Sequence, residues 1–202
     1  MQLVKIYIFL FVCLTAGKLL PAQAINDSLF WPATIQNFRL ADATQQKNGT
    51  HSNISFTAPL ILFVFLSPEC PLCKNYTPVL NALEQQYRQT VKIIGVIPGR
   101  TYTSTTINAF AKKYKTGFPL LIDTQKKLTN YLHASITPEV VLLNDRYELL
   151  YKGAIDNRVK QLGVQRSHAT ENYLADAIAQ WLQHTAIAVK RIPAIGCLIN
   201  DF

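Results

Sequence analysis

Four cysteines among 202 residues are too few for a scaffold stapled by disulfides, the solution small exported domains adopt when their cores are thin. Only eight glycines and ten prolines occur, which excludes a collagen-like or low-complexity chain. No repeat recurs at a period of ~20–50 residues, so solenoids and propellers are excluded as well. Charged side chains make up 16% of the sequence and hydrophobic ones 49%, a balance that disordered chains do not have. What is left is one globular domain of ordinary size, able to bury its own core.

The first 24 residues stand apart from that domain. Lys5 gives a short basic start, Ile6 to Ala16 form an apolar run, and Ala22-Gln23-Ala24 puts small residues at both key positions of a cleavage site. Residues 1–24 are therefore expected to be a signal peptide, and the protein to be exported, periplasmic or secreted. Lys18 interrupts the run short of the ~20 apolar residues of a membrane anchor, and Val12 before Cys13 does not suit a lipoprotein site. No other stretch is long and apolar enough to span a bilayer, so no stable membrane span is expected after cleavage. Removing Lys5 and Lys18 from the 20 basic side chains leaves 18 against 12 acidic ones, a net +6. Lys112, Lys113, Lys115, Lys126 and Lys127 are the only local concentration of charge. Placed on two predicted helices they read as a solvated face, and no nucleic-acid partner is expected.

Along residues 25–184, apolar runs alternate with helical spacing. Phe38 and Leu40 alternate with Asn37 and Arg39 as in a short strand, and Asn48-Gly49 marks a turn. Pro59 to Leu66 is a continuous apolar run, which reads as a central strand covered on both faces. A helix from about Cys70 to Tyr87 follows it. Val91 to Ile97 is a second buried strand, and Ile107, Phe110, Ala111 and Tyr114 then recur at helical spacing. Phe118 to Ile122 is a third apolar run, with a short helix marked by Leu128, Tyr131 and Leu132 after it. Val140 to Leu143 and Leu149 to Tyr151 flank Asn144-Asp145-Arg146 as a hairpin. Tyr173 to Leu182 make an amphipathic closing helix. The pattern predicts an α/β, three-layer fold with a mixed central β-sheet. Residues 185–202, with Pro193 and Gly196, have no helical period and are expected to form a C-terminal tail.

Cys70-Pro71-Leu72-Cys73 lies where the first buried strand gives way to a helix. Backbone N–H groups and the positive end of the helix point at a sulfur placed there and favour its thiolate. The second Cys, one turn on, can close a disulfide with the first. The expected arrangement is an exposed, activated thiolate at Cys70 and a more buried, resolving thiol at Cys73. A purely structural disulfide at this spacing would close little chain and add little stability. Zinc would need two further ligands, and neither a second C-x-x-C nor a His pair occurs. Haem attachment uses C-x-x-C-H, where this chain has Lys74. No metal or cofactor is expected.

Cys70-Pro71-Leu72-Cys73-Lys74, with Pro78 five residues after the second Cys, resembles the active-site helix of the thioredoxin superfamily. Ile136-Thr137-Pro138-Glu139-Val140 resembles the cis-proline segment of that superfamily. The frames Leu66-Ser67-Pro68-Glu69-Cys70-Pro71 and Tyr151 to Arg158 resemble its redoxin branch, which includes exported thioredoxin-like proteins and the alkyl-hydroperoxide-reductase type. The similarity covers about residues 33–184. It implies a thioredoxin-like fold and an exported thiol–disulfide oxidoreductase, in which Cys70 reacts through a mixed disulfide and Cys73 resolves it. A cis Pro138 would set the Thr137 backbone beside the sulfurs, where an extended partner peptide can pair with it. The implied partners are protein thiols or disulfides, or a dedicated electron donor.

Two departures from thioredoxin stand out: Glu69 replaces its Trp before the first Cys, and Val64 replaces its buried Asp. Peroxiredoxins carry Pro-x-x-x-Thr-x-x-Cys, and here Ser67 stands at the Thr and Phe63 at the Pro. A thiol peroxidase acting on peroxide, with Ser67 and Arg146 or Arg158 supporting Cys70, is the alternative. Copper carriage is a third reading; thioredoxin-like copper chaperones use C-x-x-x-C and a distant His, for which His133 is the candidate here.

Cys197 remains, in Ala194-Ile195-Gly196-Cys197-Leu198-Ile199. One reading makes it a small apolar side chain, packed with its neighbours against the domain. The other brings the tail back to the active site and offers Cys197 as a third thiol, able to form a disulfide with Cys70 or help hold a metal. Gly196 would permit the close backbone approach, and related exported redoxins are similar in carrying a Gly-Cys near the C-terminus.

Overall fold

The structure, a computed structural model, describes residues 39–43, 51–53 and 58–200, with the backbone alone at 39 and 51–53. The expected signal peptide, Cys13, Phe38 and the Asn48-Gly49 turn lie outside the described residues. In chain order the strands are β1 (Arg39–Asp42), β2 (His51–Asn53), β3 (Leu60–Phe65), β4 (Val91–Pro98), β5 (Leu120–Asp123), β6 (Ile136–Thr137), β7 (Glu139–Asn144), β8 (Leu149–Gly153), β9 (Val159–Gln161), β10 (Val164–Gln165), β11 (Arg191–Ile192) and β12 (Cys197–Leu198). The helices are α1 (Pro71–Tyr87), α2 (Ser104–Tyr114), α3 (Lys127–Tyr131) and α4 (Tyr173–Leu182).

Eight strands build one mixed sheet in the order β11-β8-β7-β3-β4-β5-β1-β2. Its centre is β3, parallel to β4 on one side and antiparallel to β7 on the other. The parallel neighbours β3, β4 and β5 need crossovers, which α1 and α2 supply; β7 and β8 need only the tight turn between them. In that turn Asn144 Oδ1 accepts the N–H groups of Arg146 and Glu148 at 3.0 and 2.8 Å.

All six side chains of β3 are buried. Strand geometry sends alternate residues to opposite faces, and both faces are covered. Leu60, Leu62 and Val64 join the cluster built with α1, α2 and α4, whereas Ile61, Phe63 and Phe65 join the cluster that holds Leu128 and Leu132 around α3. With no wet face there is no polar alternation, which is why the sequence shows an unbroken apolar run. Each of these side chains contributes about 1.5–3 kcal/mol relative to staying exposed. The result is a thioredoxin-like three-layer sandwich.

The active-site helix begins with Pro71 at its first position, where the missing N–H is not needed and the fixed φ suits a helix. It runs on through Pro78 to Tyr87. Pro78 leaves the Lys74 carbonyl without its helical donor, while the Thr77 hydroxyl donates to the Cys73 carbonyl at 2.8 Å. Leu72, Cys73, Tyr76, Leu80 and Leu83 turn into the core.

The last residues depart from the irregular tail expected. They supply β11, which pairs in parallel with β8 at the sheet edge, and β12, which pairs antiparallel with β6. Two-residue strands have no period to read in a sequence. Both docking points depend on glycine. A Cβ on Gly153, at φ +130, would collide with the carbonyl of Ile192, and one on Gly196 would collide with the carbonyl of Thr137. Among the described residues no helix is long and apolar enough to cross a membrane.

Candidate active site

The C-terminal ends of β3 and β4 and the start of α1 converge on one edge of the sheet, and the site is assembled there. Cys70 is the N-cap residue of α1, with extended backbone at φ −66 and ψ 119. Its sulfur is met from three sides. The Thr137 carbonyl lies 3.3 Å away and accepts the Cys70 S–H while that thiol is protonated, the Cys197 sulfur lies 2.7 Å away as a donor, and the Cys73 thiol also donates to it. The thiol is held far below its ordinary 9.0, at about 5. Hydrogen bonding from Cys73 is the main cause; burial opposes it, and donation from Cys197 and from the N–H groups of Cys73 and Leu72 adds to the lowering.

Cys73 is fully buried, and the Ser67 N–H donates to its sulfur at 3.3 Å. Burial pushes the Cys73 thiol well above 9.0, and both the hydrogen bond to Cys70 and the Cys70 charge push the same way. The two sulfurs of the pair are therefore held in opposite states: Cys70 as thiolate, Cys73 as thiol. Cys197 resembles Cys73, raised to about 11 by burial first and then by donating to Cys70 and facing its charge.

The Thr137–Pro138 bond is cis. Around it, Glu139 anchors the chain on both sides: Oε2 accepts the Ser135 N–H at 3.0 Å and Oε1 lies 3.6 Å from Lys152 Nζ. Thr137 does stand beside the sulfur, but its free edge is already paired. Cys197 sits opposite Thr137 and Leu198 opposite Ile136, and the Ile199 N–H donates to the Ser135 carbonyl at 2.9 Å.

That pairing corrects one expectation. Cys70 is not exposed; its residue surface is only 2% accessible, because the Thr137 backbone and the returning tail cover the sulfur. Cys197 and Ile195 pack against the main core cluster, and the Cys197 sulfur lies 2.7 Å from that of Cys70.

The other singled-out residues lie further from the chemistry. The Ser67 hydroxyl shares a 2.8 Å hydrogen bond with the Tyr102 hydroxyl, and Phe63 faces the cluster on the α3 side of the sheet. Arg146 is exposed in the β7–β8 turn and pairs with Glu148 at 3.1 Å. Arg158 pairs with buried Asp156 at 3.2 Å and lies 5.5 Å from the centre of the Tyr76 ring. His133 follows α3 in a left-handed conformation and is exposed, its carbonyl accepting from Lys152. Glu69 is exposed beside Cys70.

Tyr102 was missed in the sequence. Its hydroxyl is pushed up by burial, against the pull of Ser67, with the charges of Glu69, Cys197 and Cys70 adding to the rise. The signal available was position: it follows Pro98-Gly99 at the C-terminal end of β4, next to the C-terminal end of β3, where open α/β sheets place their sites.

A mixed α/β sandwich with a thiolate at a helix start, a buried thiol one turn on and a cis proline facing them defines a thiol-redox protein of thioredoxin type. The sequence matches the AhpC/TSA family over residues 33–158, and the chain belongs to that family. Among curated proteins none matches. Solved structures give the same fold. A hypothetical protein from Sinorhizobium meliloti 1021 is 24% identical with a TM-score of 0.70, over 80% of this chain and 89% of its own. Peroxiredoxin Q from Xanthomonas campestris is 18% identical with a TM-score of 0.55, over 79% of this chain and 99% of its own. A secreted Mycobacterium tuberculosis disulfide oxidoreductase is 16% identical with a TM-score of 0.50, over 58% of this chain and 83% of its own.

Proposed function

We propose that this chain is an exported thiol–disulfide oxidoreductase that uses Cys70 and Cys73 as its redox pair. One observation carries the reading: two thiols one helical turn apart are held in opposite protonation states, one lowered to about 5 and the other raised. At neutral pH that gives a ready nucleophile and a proton-holding resolver. The Cys70 thiolate attacks a partner disulfide, forming a mixed disulfide and releasing one partner sulfur as thiolate. Cys70 then carries no charge, so the Cys73 thiol is relieved of two of the causes that raise it. Its thiolate attacks the Cys70 sulfur, releases the second partner sulfur and closes the Cys70–Cys73 disulfide. Two electrons pass to the partner, and the reverse sequence oxidises a partner dithiol.

The partners are protein thiols or disulfides, or a dedicated donor, and Thr137 and Pro138 form the edge against which they would lie. Export rests on the character of residues 1–24. The peroxidase alternative draws less support, because the Ser67 hydroxyl and the Arg158 guanidinium are engaged by Tyr102 and Asp156. The test is a titration of the reduced protein against glutathione buffers, with disulfides mapped by mass spectrometry. The expected product is an intramolecular Cys70–Cys73 disulfide that a dithiol partner reduces. A pair that stays reduced in fully oxidising buffer, or peroxide consumption at catalytic rate without exchange, would overturn the reading.

A further inference from the structure

The tail strand stands in the place of a partner. β12 lies antiparallel along β6 at Thr137, the edge that an extended peptide would use, and it presents a cysteine to the Cys70 sulfur as a substrate peptide would. We propose that Cys197 is a third redox-active thiol: the tail acts as an internal partner strand, and Cys197 exchanges with Cys73 for the disulfide to Cys70. The proposal rests on the reading of Cys70 and Cys73 as a redox pair.

Four observations converge on it. The Cys197 sulfur is 2.7 Å from Cys70. The approach is built in two places, since Gly153 admits the Ile192 carbonyl and Gly196 the Thr137 carbonyl, where any side chain would collide. The strand is fastened beyond the cysteine, by Ile199 to the Ser135 carbonyl and by Lys126 Nζ to the Asn200 carbonyl at 3.0 Å. It is also incompletely packed. A cleft of about 100 Å³ lined by Ser67, Tyr102, Thr137 and Leu198 borders it, and one of about 220 Å³ lined by Tyr76, Pro138, Ile192 and Ile195 borders the segment that leads into it. A strand that is guided into place yet flanked by open space can be displaced by a competing peptide.

The chemistry needs no external oxidant once the pair is oxidised. Starting from the Cys70–Cys73 disulfide, the Cys197 thiolate attacks the Cys70 sulfur. The bond between the Cys70 and Cys73 sulfurs breaks, one between Cys70 and Cys197 forms, and Cys73 leaves with the electron pair and takes up the proton Cys197 gave. One disulfide and one thiol are present before and after. The direction of control follows from the causes acting on Cys197. Two of the three, the hydrogen bond to Cys70 and the Cys70 charge, exist only while Cys70 is a thiolate. Burial, the largest cause, acts in both states, so Cys197 is less restrained in the oxidised site than in the reduced one. A partner must displace the tail to reach Cys70, so exchange with outside peptides competes with exchange inside the chain.

The test uses the full chain with Cys73→Ser, reduced and then treated with a small excess of oxidised glutathione. Cys70 takes one glutathione and releases the other, and Cys197 expels the bound one. The expected product is an intramolecular Cys70–Cys197 disulfide, free of glutathione and lighter than the reduced protein by two hydrogens. A persistent Cys70–glutathione adduct, or intermolecular dimers with Cys197 unmodified, would overturn the proposal. Adding Gly196→Val keeps the thiol but expels the strand, and the bridge is then expected to be lost; an undiminished yield would contradict the positioning by β12. Cys197→Ser separates the two claims. If it forms the Cys70–Cys73 disulfide in glutathione buffer while the bridge never forms in the Cys73→Ser protein, only the third thiol falls. If neither disulfide forms, the redox pair itself is wrong.

Discussion

Strands β3 and β12 both lead to Cys70 and could hardly be built more differently. β3 is paired along its whole length on both sides and buries all six side chains. β12 is two residues long, is paired along β6, and leaves Leu198 71% exposed. The first leads into α1 and so fixes where the Cys70 sulfur stands; the second decides what can reach it. The contrast teaches that activation and access are separable in this site. Activation rests on a strand paired and buried throughout and on the helix it leads into; access rests on a short strand with few buried contacts, the kind of element that opens locally.

The largest expected effect breaks the comparison at its strong side. Leu62→Ala removes buried methyl groups from the α1 side of β3 and should cost about 2–5 kcal/mol. Leu198→Ala on β12 should change stability by no more than about 0.5 kcal/mol. Urea unfolding of the two variants measures both, and similar costs would mean that the tail is part of the core.

A smaller effect sharpens the activation side. Hydrogen bonding from Cys73 is the leading cause of the low Cys70 value, so Cys73→Ala should move the Cys70 midpoint upward from about 5 towards 9.0. The sign is fixed by loss of a donor to the charged form. Thiolate absorbance against pH reads the midpoint, and an unchanged value would shift the credit to the helix start. The smallest effect concerns Pro78, which interrupts the hydrogen-bonding of α1 without ending it. Pro78→Ala should leave the fold intact and alter the Cys70–Cys73 potential modestly, as measured against glutathione; wholesale unfolding would contradict its place inside the helix.

The same contrast governs what was legible in the sequence. β3, β4 and α1 announce themselves because a strand covered on both faces must be apolar throughout and a helix packed on one face must repeat. Cys70 and Cys73 could be located on those elements, and Thr137-Pro138 followed from resemblance. The burial of Cys70 was hidden, since it depends on residues 127 positions away in sequence. β6, β9, β10, β11 and β12 are two or three residues long, too short for any periodicity, and their partners are chosen by tertiary approach. What the sequence does carry of the tail contact is local chemistry: a glycine beside a cysteine, which pointed to the return but not to the strand that makes it. The surroundings of Arg158 were hidden for a similar reason, because nothing in the nearby sequence reveals that Tyr76 packs against it.

The most direct measurement of the account is the rate of Cys70 alkylation by iodoacetamide from pH 4 to 8, read residue by residue in reduced wild type and in Gly196→Val. The wild type is expected to react slowly, with a rate that rises through a midpoint of about 5 and is flat at neutral pH because the thiolate is already formed. The variant, its tail strand expelled, should react faster at neutral pH, by about ten- to a hundredfold if the tail opens at about 1.4–2.8 kcal/mol. Its midpoint should rise somewhat, since the Cys197 hydrogen bond is lost, yet stay below 9.0. Equal rates in the two proteins, or a wild-type midpoint at or above 9.0, would contradict the claim that a rigid scaffold activates Cys70 while the tail covers it.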